Sequence, residues 1–167
     1  MIVIVCGLPG VGKTSLAALL ALLINAVMLS SDKVRKELIA KPTYSKQEVR
    51  LIYDLILVIA RYLHDAGLNC IIDATFNTQK SRDRFKERFP DSQIIIVECI
   101  CPESTVVQRL KSRKKDYSDA DISIYKRMKR YYEPILEDHI TVDTSKSSLR
   151  TIAKQITIQI SNMKKWR

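Results

Sequence analysis

The sequence Gly7-Leu8-Pro9-Gly10-Val11-Gly12-Lys13-Thr14-Ser15 carries the strongest signal in this chain of 167 residues. It fits the spacing G-x-x-x-x-G-K-[ST] and lies between an apolar β-branched run and an amphipathic stretch. The chain has only four glycines, and three of them stand in this loop. Because glycine lets the backbone turn its N–H groups inward, the stretch predicts a loop that surrounds phosphate oxygens between a strand and a helix.

Two side chains of this loop predict what is bound there. Lys13 in the first turn of a helix opposes the helix dipole, which is unfavourable unless an anion lies nearby. We therefore expect Lys13 to reach the β- and γ-phosphates of a nucleotide, Thr14 to bind Mg²⁺, and the rest of the loop to bind the nucleotide. The chain has no Asn-Lys-x-Asp segment for guanine and no Asp-x-x-Gly element, which argues against a regulatory GTPase.

Short apolar runs alternate with longer amphipathic stretches along the whole chain. The runs predict strands at 2–6, 27–30, 70–74, 94–101 and 140–143. The amphipathic stretches predict helices at 13–24, 33–39, 46–66, 79–88, 103–114, 121–137 and 147–163. This alternation predicts a three-layer α/β fold with a parallel sheet, and the length predicts a single domain over residues 1–167. Ligands are expected at the carboxyl ends of the strands.

Acidic residues follow two of the predicted strands. Asp32 begins a helix whose first turn contains Lys33, Arg35 and Lys36, and each cation at that end is unfavourable by ~0.3–1 kcal/mol. Since a simple N-cap leaves these cations unexplained, we expect Asp32 to accept a proton from an attacking hydroxyl and Arg35 to neutralise a transferring phosphoryl group. Asp73 ends another strand at the same edge, where it either holds Mg²⁺, orients the acceptor or is a solvated turn residue.

The charge of the chain is strongly positive, with a formal net charge of +10. Between Arg109 and Arg130 the sequence has nine basic and three acidic residues, which accounts for more than half of the excess. Arg109 and Arg113 are four residues apart, hence on one helix face, and residues 114–121 are suited to a mobile cover over the nucleotide. This segment favours either a nucleic-acid surface or a solvated charged helix face.

Compartment signals are few. The longest weakly polar run, Leu16–Ser30, contains Asn25 and is shorter than the ~18–20 apolar residues of a membrane span. The amino-terminal residues do not follow the pattern of a signal peptide, so we expect a cytoplasmic protein without membrane contact. The four cysteines lie in or beside apolar runs and are expected to be free core thiols.

The chain resembles small phosphate-loop kinases of the polynucleotide-kinase and zeta-toxin-like group. The elements that carry the resemblance are Gly-x-Pro-Gly-x-Gly-Lys-Thr, Asp32-x-x-Arg35, Asp73-Ala-Thr, Arg109-x-x-x-Arg113 and Tyr117-Ser-Asp-Ala-Asp121, in this order. The resemblance implies the phosphate-loop NTPase fold of nucleotide kinases, with five parallel strands in the order 2-3-1-4-5 and a helical lid at about 109–130. It also implies ATP and Mg²⁺, with phosphate transferred to a hydroxyl group.

The resemblance further implies roles for individual residues. Asp32 would be the general base and Arg35 an arginine of the acceptor side. Arg113 would contact the transferring phosphate, Arg109 would stack on adenine, and Thr144 would line the adenine pocket.

Three functions remain open at this point. The main hypothesis is an ATP-dependent kinase whose acceptor is a nucleic acid 5′-hydroxyl, in RNA or DNA, as the positive charge suggests. The first alternative is a small-molecule or nucleotide kinase, in which the charge serves ATP and the acceptor. The second alternative is an ATP-binding partner of an RNA-modifying assembly that transfers no phosphate itself.

Overall fold

The computed structural model describes residues 1–90, 92–113 and 118–165. This part of the chain contains five strands and seven helices. The strands are β1 (Ile2–Cys6), β2 (Ala26–Ser30), β3 (Asn69–Asp73), β4 (Ile94–Ile100) and β5 (Ile140–Asp143). The helices are α1 (Lys13–Leu23), α2 (Ser31–Leu38), α3 (Lys46–Asp65), α4 (Gln79–Arg88), α5 (Glu103–Ser112), α6 (Ile122–Lys129) and α7 (Leu149–Lys165).

The strands form one parallel sheet in the order β2-β3-β1-β4-β5, which confirms the predicted fold and strand order. All residues of the central strand β1 are buried, which explains its continuously apolar sequence. The register places Asp73 of β3 beside Val5 of β1 and beside Ser30 of β2. The carboxyl ends of three neighbouring strands therefore meet at one edge of the sheet.

Helices cover both faces of the sheet and give the fold three layers. On one face α1, α5 and α7 contribute buried side chains such as Leu16, Val106 and Ile156. On the other face α3 and α4 contribute Ile52 and Phe85. Among the described residues, no helix combines the length and the apolar character needed to cross a membrane.

The segment after α6 differs from the sequence-based expectation. The predicted helix 121–137 is wrong in its second half, because α6 already ends at Lys129. Pro134 has no N–H to donate and disfavours helical geometry in the residue before it. Instead, the fully buried guanidinium of Arg82 donates to the carbonyl oxygens of Glu133, at 3.1 Å, and Pro134, at 2.8 Å. The other predicted bounds agree within two residues, and residue 114, the predicted end of a helix, lies outside the described residues.

Candidate active site

The loop between β1 and α1 has a backbone that only glycine allows at two positions. Gly7 has φ +129°, and a Cβ there would lie 2.3 Å from the carbonyl oxygen of Cys99 in β4. Gly10 has φ +80°, and a Cβ there would lie 2.9 Å from Cγ1 of Val106 in α5. The loop is thus pressed between the sheet and α5, which holds its backbone in place before any ligand binds.

The amino terminus of α1 is left open for an anion. Gly12 is the N-cap residue and has no side chain to cap the first N–H groups, and the first turn contains no acidic residue. The Lys13 ammonium donates to the carbonyl oxygen of Leu8 at 2.9 Å, so it is folded over the loop. Uncapped N–H groups, the helix dipole and this ammonium together form a site for phosphate oxygens.

Two predicted nucleotide-binding residues lie behind this loop. Arg109 of α5 donates from Nη1 to the Thr144 hydroxyl at 2.9 Å and from Nη2 to the Thr144 carbonyl at 3.0 Å. The Thr144 hydroxyl donates in turn to the Val11 carbonyl oxygen at 2.6 Å. These contacts tie the phosphate loop to the connection between β5 and α7.

A cleft of about 490 Å³ opens at the carboxyl ends of β1, β2 and β3. Seven residues that the sequence predicts for the site line it, although they come from four different parts of the chain: Lys13, Thr14, Ser15, Asp32, Arg35, Asp73 and Arg113. Pro9, Gly10 and Gly12 also face it, whereas Arg109 and Thr144 are not among the described residues that line it. The structure therefore brings most of the predicted site together in one place.

Asp73 is the most deeply buried acidic residue of the cleft. It is 3% exposed, and its Oδ1 has no hydrogen-bond partner among the described residues. Burial raises the pKa of this carboxyl, against the opposing effects of the Lys13 charge and hydrogen bonds with Thr14 and Ser30. A buried carboxylate with one unpartnered oxygen, next to a threonine hydroxyl, is a donor set that suits a hard divalent cation.

Asp32 stands at the start of α2 and is one-third exposed to the cleft. Arg35 donates from Nη1 to Asp32 Oδ1 at 3.0 Å. Arg35 is only 4% exposed, and its guanidinium also faces the Glu48 carboxylate at 3.0 Å and lies 4.7 Å from the centre of the Tyr44 ring. The predicted pair of Asp32 and Arg35 is therefore in direct contact, and its arginine is enclosed.

A roof covers the outer side of the acceptor half of the cleft. Asp119, just before α6, accepts a hydrogen bond from Lys36 of α2 at 2.6 Å and another from the Tyr44 hydroxyl at 2.5 Å. Ile124 and Met128 of α6 line the same half of the cleft. The lid predicted at 109–130 contributes this roof through residues 118–128, while residues 114–117 lie outside the described residues.

The basic side chains of the 109–130 segment have different neighbours. Arg113 and Arg127 line the cleft, Arg109 contacts Thr144, and Lys129 pairs with Glu103 of α5 at 2.6 Å. The high local charge of the sequence is thus divided among the cleft, the phosphate loop and a surface ion pair.

Several residues of the acceptor half were not selected from the sequence. Glu48 and Tyr44 contact the predicted Arg35 directly, and Asp119 contacts Lys36 and Tyr44. Tyr53 and Asn77 line the cleft. One signal was readable, since Ser45-x-x-Glu48 has the pattern of a capping box at the start of a helix. That pattern predicts only a helix terminus, and the contacts across the cleft are visible only in the folded chain.

Comparisons with known proteins find similar sequences over most of this chain. The family model AAA_33, described as an AAA domain, matches residues 2–135. An adenylyl-sulfate kinase of Shewanella baltica is 30% identical over 151 residues, which cover 87% of this chain and 74% of that protein. An adenylyl-sulfate kinase of Shewanella sp. strain ANA-3 is 30% identical over 154 residues, or 86% of this chain and 73% of that protein.

Solved structures of kinases share the fold. The APS kinase of Mycobacterium tuberculosis, in complex with AMPPNP and APS, has a TM-score of 0.74 at 18% identity and covers 96% of both chains. A gluconokinase of Sinorhizobium meliloti has a TM-score of 0.66 at 16% identity, covering 94% of this chain and 95% of that one. At such identities the likeness concerns the fold alone.

Proposed function

Because the chain belongs to the AAA_33 family and is an ATP-dependent phosphotransferase with a phosphate loop, we propose that its acceptor is a hydroxyl group of a small molecule. The observation that carries this proposal is the roof over the acceptor half of the cleft, where Asp119 bridges to Lys36 and Tyr44. The whole cleft, with its phosphate-loop half included, has a volume of about 490 Å³, which lies within the range of small-molecule sites, roughly 300–1,000 Å³. A nucleic acid end would need a groove that leads the rest of the strand away from the site.

The relatives support the same choice. They include adenylyl-sulfate kinases and, at the level of fold, a gluconokinase, whose names point to small acceptors. These findings favour the small-molecule or nucleotide kinase over the nucleic acid 5′-hydroxyl kinase, and phosphotransfer over nucleotide binding alone. Tyr44 and Tyr53 line the acceptor half, and their rings suit a nucleotide as well as a sugar.

In the proposed reaction the acceptor oxygen forms a bond to the γ-phosphorus of ATP. The bond from that phosphorus to the β,γ-bridging oxygen breaks, and ADP leaves with this oxygen. Asp32 takes the proton of the acceptor hydroxyl, and Arg35 holds Asp32 in the orientation needed for this. Lys13 and the open N–H groups of α1 bind the phosphates, and Arg113 contacts the transferring group from the other side of the cleft. Arg35 thus acts through Asp32, because its guanidinium is enclosed by protein groups.

Thr14 and Asp73 fit a Mg²⁺ ion, since both residues line the cleft, their side chains are hydrogen-bonded to each other, and Oδ1 of Asp73 has no partner among the described residues. When bound, Mg²⁺ would neutralise charge on the β- and γ-phosphates. The contacts of Arg109 and Thr144 with adenine stay a prediction from the resemblance, and in this proposal both residues also support the phosphate loop.

A phosphate-transfer panel tests the proposal. Labelled ATP is offered with adenylyl sulfate, gluconate, other sugars, nucleosides, and RNA and DNA oligonucleotides that carry a 5′-hydroxyl. We expect transfer to a small acceptor, with no transfer to the oligonucleotides. Equal or faster transfer to an oligonucleotide would refute the proposal, as would transfer to no acceptor at all.

Two variants test the role of Asp32. Asp32→Asn should abolish transfer while ATP still binds, because the phosphate loop is unchanged. The matched control is Glu37→Gln on the same helix, where an exposed carboxylate lies 3.8 Å from Lys33, and its activity should equal that of the wild type. Full activity of Asp32→Asn would show that Asp32 does not take the proton of the acceptor hydroxyl.

A further inference from the structure

Glu48, in the first turn of α3, holds two different parts of the acceptor side with its two carboxylate oxygens. Oε2 accepts hydrogen bonds from the Thr43 N–H at 2.6 Å, the Thr43 hydroxyl at 2.7 Å and the Tyr44 N–H at 3.1 Å. Oε1 lies 3.0 Å from Nε of Arg35, although that N–H is not directed at it, so the contact is an ion pair without an aligned hydrogen bond. One carboxylate therefore connects α3, the loop before it and α2.

Helix capping does not explain this arrangement. Ser45 is the N-cap of α3, and its hydroxyl accepts from the Glu48 N–H at 3.2 Å, as in a capping box. In a full capping box the glutamate would accept from the Ser45 N–H, but that N–H donates to the Thr43 hydroxyl at 3.4 Å. The Glu48 side chain instead turns inward and is 9% exposed, a position that is unfavourable for a carboxylate unless it is paired.

The loop that Glu48 holds has a strained residue at the acceptor pocket. Tyr44 has φ 55°, a left-handed conformation that is uncommon for a bulky side chain. Its ring lies 4.7 Å from the Arg35 guanidinium, and its hydroxyl reaches Asp119 of the roof. Such a conformation persists only where surrounding contacts enforce it, and the hydrogen bond from the Tyr44 N–H to Glu48 is one of them.

Charge gives the same arrangement a second effect. Burial by itself raises the pKa of Glu48, but the hydrogen bonds from Thr43 and Tyr44 and the Arg35 charge outweigh it and leave the pKa lowered. The carboxylate is therefore ionised at neutral pH and attracts one edge of the Arg35 guanidinium, while Nη1 of that group donates to Asp32.

We propose that Glu48 is a positioning residue, which orients Asp32 through Arg35 and folds Thr43 and Tyr44 into the wall of the acceptor pocket. It does not itself contact ATP or the acceptor. This inference rests on the proposed function, because Asp32 is taken as the group that accepts the acceptor proton.

Glu48→Gln separates the two tasks of the carboxylate. In this variant the three donors of Thr43 and Tyr44 keep an acceptor only if the glutamine amide oxygen faces them. The amide NH₂ then faces Arg35, and the ion pair is lost. We expect kcat to fall about 10–100-fold, the loss typical of groups that orient a catalytic residue, while the KM for ATP changes less than about two-fold. The control is Glu103→Gln in the first turn of α5, which loses an exposed pair with Lys129 and should keep the kcat of the wild type.

A double mutant separates positioning from general destabilisation. If Glu48 acts through Arg35, the double variant Arg35→Lys with Glu48→Gln should be as slow as Arg35→Lys alone. Multiplicative losses of kcat in the double variant would refute the proposal.

Should Glu48→Gln fail to fold, Thr43→Val serves instead, since it removes one loop contact and keeps the ion pair. It should raise the KM for the acceptor with kcat nearly unchanged, and a loss confined to kcat would contradict the proposal.

A measurement without turnover keeps this inference separate from the proposed function. Hydrogen exchange of the Thr43 and Tyr44 amides should be slow in the wild type and in the control Glu103→Gln. It should also be slow in Glu48→Gln, whose amide oxygen still accepts from both amides. It should become fast in Glu48→Ala, which removes the acceptor of both amides. Fast exchange in the wild type would refute the loop part of the inference, whereas failure of every acceptor in the transfer panel would refute only the proposed function.

Discussion

Replacement of Asp73 by asparagine should make the free protein more stable and the enzyme less active. The carboxyl is 3% exposed, and its Oδ1 has no partner among the described residues. Burial raises the pKa above the ordinary 3.8, so the folded state disfavours the charged form, despite the Lys13 charge and the hydrogen bonds with Thr14 and Ser30. Asparagine has nearly the same shape and no charge, so it removes this penalty.

The size of the effect follows from burial. An unpartnered buried polar group costs about 1–3 kcal/mol, and since Lys13 offsets part of this we expect a gain of about 1–2 kcal/mol. For a chain of this length, that corresponds to a rise in Tm of roughly 2–8 °C. Because the folded-state pKa is raised, the penalty is fully present above that pKa and disappears as the pH falls towards 3.8. The advantage of Asp73→Asn should therefore be larger at pH 7 than near pH 3.8, the ordinary pKa of this group.

Thermal unfolding at the two pH values, with and without Mg-ATP, measures this effect. Mg-ATP should raise the Tm of the wild type more than that of the variant, and transfer by the variant should be slower by roughly 10²-fold. Asp143→Asn is the matched control, because Asp143 ends β5 as Asp73 ends β3, but hydrogen bonds from Ser145 lower its pKa. That control should not gain stability. An Asp73→Asn protein that is less stable than the wild type at pH 7 would refute the reasoning.

Three further predictions concern stability, thiol reactivity and the roof. Arg82→Met should lower the free energy of unfolding by about 3–5 kcal/mol, because the buried carbonyl oxygens of residues 76, 133 and 134 lose their hydrogen-bond donor. A decrease below about 1 kcal/mol, measured by urea unfolding, would contradict this. In the native protein at pH 8, a thiol reagent should react readily only with Cys101. Burial raises the pKa of the other three thiols to about 12: Cys6, Cys70 and Cys99. Rapid reaction of more than one thiol would contradict the burial of these three. Asp119→Asn should weaken the roof and raise the KM for the acceptor several-fold, whereas an equal rise in the KM for ATP would show that the roof serves the nucleotide instead.

The sequence by itself determined the phosphate loop and the class of the fold. The loop could be predicted because its function is local: a few consecutive residues between a strand and a helix place glycines and Lys13 where phosphates bind. The parallel sheet could be predicted because strands covered on both faces need continuous apolar runs, as in β1. Asp32 and Asp73 followed from the same rule, since the ends of parallel strands meet at one edge.

Only the tertiary structure decided what surrounds these residues. Asp119 contacts Tyr44 across 75 positions of the sequence, and Arg82 holds Pro134 across 52. No local pattern marks such contacts, because each depends on how separate helices pack against the sheet. The sequence predicts Glu48 only as a helix cap, but the packing of the helices buries it in an ion pair with Arg35. A buried carboxylate is unfavourable unless it is paired with positive charge or hydrogen-bond donors. The roof over the acceptor half is therefore a property of the folded chain, whereas the phosphate loop is already a property of the sequence.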